Sequence, residues 1–234
     1  MAGGDVAVAA GWVGVTVDVA AVPVMPPLSR RLRRETKVMH RLVESTRLAR
    51  AFFRGTLTTQ AYAEGLARLY PVYVTMEGAL ERALRDSRLQ AFHLPAAYRS
   101  RAMLADLRFF GVSPEPIRDG ASARYVERVR CVVDETPSLL VAHAYVRFMA
   151  DVSGGIIAGK VARRVLGLRS QEGLAFFAFP DIPDPAAFRE GFRRRLDGFP
   201  RDEEESRAIV AEANVAFELN RALADELWTE VFDR

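Results

Sequence analysis

From Leu28 onward, apolar residues recur every three or four positions, the period of an α-helix that buries one face. Residues 28–54 keep this pattern and stop at Gly55. Thr58 or Thr59 can cap a second helix that runs to about Arg85, with Pro71 as a kink inside it. Pro95 opens a third helix that ends near Gly111, the stretch Ser113-Pro114-Glu115-Pro116 is a loop, and a fourth helix covers 121–134. Thr136-Pro137 begins a long helix over about 137–167, with proline at its first position. Phe176, Phe177 and Phe179, set between a glycine and prolines, predict a packed loop over 170–183. Asp184-Pro185 starts the next helix, which stops near Gly198. Pro200 and the acids at 202–205 open the last one, placing negative charge at its positive end. No alternation of period two appears after residue 27, so the class is all-α. No long flexible linker divides residues 28–234, which predicts one helical domain.

The first 27 residues differ: they are rich in Val, Ala and Gly and contain no Lys or Arg. Residues 13–19 alternate as Val-x-Val-x-Val-x-Val, which permits a stray strand. A secretory signal needs a positive start, which is missing. Gly11, Gly14, Asp18 and Pro23 interrupt the apolar stretch and make it a poor membrane span. Residues 1–27 therefore read as a disordered extension or a misplaced start, with Met25 as the alternative initiator. The chain ends at Trp228–Arg234 without a hydrophobic tail, and the expectation is a soluble protein with no membrane partner.

Bulk numbers narrow the classes. Half of the 234 residues are hydrophobic, enough for one sizeable core. The net charge is +3, and no basic run is interleaved with aromatic residues, so nucleic-acid binding is not expected. Cys131 is the only cysteine, which excludes an intramolecular disulfide and a thiolate metal cluster. A reducing, cytoplasmic setting fits.

Two helical stretches carry candidate chemistry. Residues 147–159 read RFMADVSGGIIAG, with two adjacent glycines inside a helix. Each costs about 1 kcal/mol relative to alanine, so the absence of side chains serves a kink or a close approach. Asp151 lies three and four residues before them, on the same face, and forms an i,i+4 pair with Arg147. Ala150, Gly154 and Ala158 make a row of small residues beside Asp151, Gly155 and Gly159. A bare backbone beside a placed acid suggests a flat ligand and a proton-relay group; close helix packing explains the glycines equally well. The second stretch is Leu32, Thr36, His40 and Glu44, spaced by four, with Arg33 and Lys37 flanking the histidine. A histidine beside cations suits a metal-bearing ligand with carboxylates, and Glu44 can orient the imidazole. An ordinary amphipathic helix with a surface histidine gives the same spacing. His93 precedes a helix-opening proline and is expected to be exposed, whereas His143 lies in an apolar run and is expected to be structural.

With both stretches in view, the sequence resembles haem oxygenase from Leu28 to about Glu230. Arg34-Glu35-Thr36-Lys37-Val38-Met39-His40 with Glu44 is similar to the family's proximal helix, and VAHAYVRFMADVSGG at 141–155 to its distal helix. EGLAFFAFP at 172–180 and Ala216-Phe217-Glu218-Leu219-Asn220 match further family segments in order. The resemblance implies an all-α fold in which haem, both cofactor and substrate, lies between the two helices. It implies His40 as the axial iron ligand and Glu44 as its orienting partner. Asp151 would hold a distal water network to which Arg147, Tyr70 and Asn220 belong. Gly154 and Gly155 would let the backbone lie against the macrocycle. Arg33, Lys37, Tyr145, Arg189 and Arg193 would meet the haem propionates.

The activity implied is oxidative ring opening by O2 to biliverdin, carbon monoxide and ferrous iron. No flavin or nicotinamide motif is present, so electrons would come from a ferredoxin or a flavoprotein reductase. The membrane tail and Cys-Pro motifs of eukaryotic relatives are absent, which makes the chain resemble the bacterial type. It departs from the family pattern Gly-Asp-Leu-Ser-Gly-Gly at Ala150, whose methyl would press on the haem or its oxygen ligand, and Ile156 replaces a usually polar residue. A haem-binding carrier or sensor with weakened turnover is the alternative, and a helical interaction protein that binds no haem is a third.

Overall fold

The computed structural model describes residues 25–83, 88–114 and 119–233. The expectations for residues 1–24, and for Glu115 and Pro116 of the predicted loop, lie outside the described residues. Among the described residues every regular element is helical. Ten α-helices follow in order: α1 (Leu28–Glu35), α2 (Lys37–Glu44), α3 (Arg47–Arg54), α4 (Thr59–Arg82), α5 (Ser100–Phe109), α6 (Gly120–Glu135), α7 (Leu140–Ala144), α8 (Ala150–Val165), α9 (Pro185–Asp197) and α10 (Glu203–Phe232).

Helix α10 is the spine of the fold. At 1.5 Å per residue it is about 45 Å long, and α1, α2, α3, α4, α6 and α7 all pack on it. Its start is as read: Asp202 caps it by accepting from the Glu205 amide at 2.8 Å, and Glu203, Glu204 and Glu205 fill the first turn. Asp184 caps α9 by accepting from the Ala186 and Ala187 amides. Thr58, rather than Thr59, caps α4 through the Ala61 amide at 3.1 Å. The core runs through Leu28, Leu32, Tyr73, Met76, Phe92, Tyr125, Phe148 and Phe192, all essentially without solvent exposure.

Three expected helices are subdivided. The stretch 28–54 is three helices, not one, because the backbone turns off the helical path at Thr36 and again at Ser45. The Thr36 hydroxyl donates to the Leu32 carbonyl at 2.7 Å, and Thr46 caps α3 through the Ala49 amide. Pro95 opens only a 3-10 turn over Pro95–Ala97, and the α-helix proper begins at Ser100. The expected helix over 137–167 opens with a 3-10 turn, Pro137–Leu139, and is interrupted by a π-turn over Tyr145–Met149. In an α-helix Val146 and Phe148 would lie on opposite sides, yet both are buried and Arg147 between them also points inward. Tyr145, Arg147 and Met149 are half-buried, so no side of this turn is fully exposed, and the wider π register accommodates it.

Candidate active site

Two walls meet on α10 within one turn of each other. The first is α2. Along the predicted stripe, Leu32 and Thr36 are buried while His40 and Glu44 are exposed, so the stripe leads from the core to the surface. The His40 side chain is 50% exposed, its ring packs edge-on against Phe217 of α10 at 5.6 Å, and its Nδ1 lies 3.3 Å from Glu44 Oε2. Nδ1 thus has an orienting partner, and Nε2 is the nitrogen left to ligate a metal.

The second wall is the distal segment, α7 to α8 with the π-turn between. Here the side chains are interlocked. Arg147 donates through Nε to the Tyr73 hydroxyl at 2.8 Å and through Nη1 to Asn220 Oδ1 at 2.6 Å. The Tyr73 hydroxyl in turn donates to Asp151 Oδ2. Asp151 Oδ1 lies 3.5 Å from Arg147 Nη2, and only 8% of the acid's side chain is exposed. Asn220 is fixed by donating to its own helix at the Ala216 carbonyl, 2.7 Å, and to the Tyr125 hydroxyl at 3.4 Å.

Burial sets the protonation of this network. It pushes the Asp151 carboxyl above the usual carboxylate range, against the pull of Arg147, Tyr73 and Arg99. It pushes the Tyr73 hydroxyl well above the ordinary tyrosine value, so Tyr73 remains a donor. Tyr125 is pushed up to about 12, also by burial. Arg99 is itself buried, spread over the Phe179 ring at 3.9 Å, and close enough to Asp151 to act on its charge.

One predicted member is replaced. Tyr73, not Tyr70, bonds Arg147 and Asp151. Tyr70 is half-buried and packs against the core one turn earlier on α4. The sequence offered two tyrosines three residues apart on one helix, and only the packing of α4 against the distal segment separates them. Tyr125 and Arg99 carried no local signal for this site, because the network residues they act on, Asn220 and Asp151, lie 95 and 52 residues away in the chain.

The paired glycines also divide. A Cβ on Gly154 would meet nothing within 4 Å, so this position borders open space. A Cβ on Gly155 would lie 3.0 Å from the Phe179 ring and 3.4 Å from the Phe177 carbonyl, and one on Gly159 would lie 2.9 Å from Phe177 Cβ. At Gly155 the phenylalanine loop leaves no room for a side chain, a packing reason for this glycine that stands beside its expected place near a ligand. Of the two small-residue rows, the Gly155–Gly159 row is covered by the phenylalanine loop, and Gly154 in its neighbour stays open. Ala150 and Ile156 are both exposed.

Cations gather at the rim. Tyr145 has the Thr36 hydroxyl as hydrogen-bond partner, and Arg33 and Arg193 lie near enough to offset part of the rise that burial gives its hydroxyl. Lys37 is exposed at the start of α2, Arg189 is half-buried one turn before Arg193 on α9, and Arg193 reaches Glu190 at 3.7 Å. Elsewhere, His93 is half-buried and edge-on to Tyr98, rather than exposed.

The haem oxygenase family model matches residues 26–226. A haem oxygenase from Guillardia theta is 34% identical over 203 residues, covering 86% of this chain and 86% of that protein. The chain belongs to the haem oxygenase family. Haem oxygenase 1 of Synechocystis is likewise 34% identical over 203 residues, covering 86% of this chain and 84% of its own. Among solved structures, the haem oxygenase of Leptospira interrogans superposes with a TM-score of 0.82 at 37% identity, covering 86% of this chain and all of that one. The Synechocystis haem oxygenase-1 structure, in complex with haem, gives 0.84 at 33% identity, covering 89% and 95%. No described helix is long and apolar enough to cross a membrane.

Proposed function

We propose that this haem oxygenase binds haem between α2 and the distal segment and opens it, with O2 and an external electron donor, to biliverdin, carbon monoxide and ferrous iron. The observation that carries the reading is a buried acid, Asp151, held by Arg147 and Tyr73, with His40 meeting the same turn of α10 on the opposite wall. Haem suits the residues present. His40 offers Nε2 while Glu44 occupies Nδ1. Gly154 borders open space that a side chain would narrow. Arg33, Lys37 and Arg193 supply positive charge for two carboxylates, with Tyr145 among them and Arg189 one turn away.

When bound, haem supplies the iron at which O2 is activated. The chain's own residues do the rest. His40 would hold the haem iron through Nε2, with Glu44 orienting the ring. Arg147 and Tyr73 form a directed chain of N–H and O–H donors that ends on Asp151 Oδ2. Asp151, with its raised carboxyl, holds or passes a proton at the open face. Asn220 keeps Arg147 in place. A carrier has no use for a buried proton donor of this kind, so the enzyme reading is favoured. A ferredoxin or flavoprotein reductase is the proposed electron source, and the single cysteine fits a cytoplasmic setting.

Haemin added to the purified protein, followed by ferredoxin, its reductase, NADPH and O2 with catalase present, tests this. The Soret band is expected to decay as biliverdin absorption rises. Stable binding with no biliverdin would favour the carrier, and no Soret band would exclude both.

A further inference from the structure

His143 and Glu212 form a buried polar pair that the proposed chemistry does not use. His143 is fully buried and Glu212 is 3% exposed. Taking such groups out of water is costly, and the best-attested return is a fixed register between elements. His143 Nε2 lies 2.9 Å from Glu212 Oε1, and Arg128 donates through Nε to the same carboxylate at 3.0 Å. These partners hold the Glu212 carboxyl ionised, down at about 2. A carboxylate only accepts, so the histidine proton sits on Nε2, and Nδ1 meets no partner.

Its place in the fold gives the pair a meaning. His143, Arg147 and Asp151 are spaced by four on the distal segment, and Glu212, Ala216 and Asn220 are spaced by four on α10. The two segments are joined at His143 to Glu212 and again at Arg147 to Asn220. The His143 ring also lies 5.6 Å from the Tyr125 ring, whose hydroxyl accepts from Asn220. The π-turn that carries Arg147 begins two residues after His143. An anchor at that point decides which way the wider turn faces.

We propose that the His143–Glu212 pair is a positioning clamp for the distal acid, fixing the distal segment on α10 so that Arg147 and Tyr73 hold Asp151 toward the open face. The clamp rests on the proposed function for what Asp151 does there, but the coupling itself is measurable without haem. The probe is 19F NMR of haem-free protein labelled with 3-fluorotyrosine, with the Tyr73 signal assigned by Tyr73→Phe and its uncoupled position set by Asp151→Asn. The Tyr73 hydroxyl is bound to Arg147 and Asp151, so its signal reports transmission along the distal segment. His143→Leu is expected to move that signal toward the Asp151→Asn position. In the haem-loaded enzyme it lowers biliverdin formed per O2 consumed by about threefold to tenfold, with haemin affinity unchanged. His143→Gln, which keeps an N–H toward Glu212, brings both readings back toward wild type. An unmoved Tyr73 signal in His143→Leu, or a Gln variant no better than the Leu variant, overturns the clamp. Should His143→Leu not fold, Glu212→Gln serves in its place, with the same shift expected and an unmoved signal again decisive against it. If the wild type opens no haem while the Tyr73 signal still shifts, the proposed function fails and the clamp stands.

Discussion

The proximal and distal walls are built on opposite principles. His40 is half-exposed; Glu44, a single helical turn away, is its polar partner, and Phe217 of α10 packs on its ring. Asp151 is nearly enclosed and held through side chains from α4, the π-turn and α10, the farthest of them 78 residues away from it in sequence. The proximal group is therefore oriented locally and remains adaptable. The distal group is over-determined: Arg147 is a local i,i+4 partner, but Tyr73 and Asn220, which complete the network, were placed by the whole fold. A ligand that is both held and transformed needs this division: an accessible attachment on one side and an exact proton position on the other.

The largest expected effect removes the attachment. His40→Ala leaves the haem-free fold intact, because the ring is half-exposed, and abolishes normal axial ligation of added haemin. An unchanged Soret and ligand-field spectrum would show that another residue ligates the iron. Next come the glycines, which sharpen the contrast within the distal wall. Gly154→Ala gains helix propensity of about 1 kcal/mol and meets no neighbour, so the haem-free protein melts higher while haemin binds more weakly. Gly155→Ala forces a methyl against Phe179, and overpacking of this kind costs about 1–3 kcal/mol. The two melting temperatures are expected to move apart, Gly155→Ala being the lower. Equal shifts would mean that the phenylalanine loop yields freely.

Much of this architecture was legible in the sequence where the causes are local. The helices ending at Gly55 and Gly198, the caps at Thr58, Asp184 and Asp202, and the His40–Glu44 pair all follow from residues within a few positions of each other. The π-turn did not, because nothing in Tyr145–Met149 forbids an α-helix. The choice of Tyr73 over Tyr70 and the split between Gly154 and Gly155 depend on what packs opposite, which spacing alone does not carry.

Tyr73→Phe against Tyr70→Phe breaks the comparison at that point. Removing the Tyr73 hydroxyl strips Asp151 of a donor and is expected to lower biliverdin yield about tenfold, the cost of about one charge-assisted hydrogen bond. Tyr70→Phe is expected to stay within twofold of wild type; the reverse ranking, read from single-turnover product, would return Tyr70 to the network. The smallest effect is on acid stability. The Glu212 carboxyl is held down at about 2 in the folded chain, below its usual range. A depressed carboxyl stabilises the fold above its unfolded pKa, and that contribution is lost as pH falls through the folded value. Urea unfolding of wild type should therefore weaken progressively as pH drops from the ordinary carboxylate range toward about 2. Glu212→Gln should lose stability at neutral pH and show a flatter decline through that window. Parallel curves for the two proteins would remove Glu212 from the acid response.

The most direct measurement is the biliverdin formed per O2 consumed by Asp151→Ala, with wild type alongside and haem ligation checked in both. The account predicts an unchanged proximal ligand, continued oxygen consumption and a loss of ring opening of at least tenfold, as expected when a positioned proton donor is removed. Undiminished biliverdin yield from this variant would contradict it.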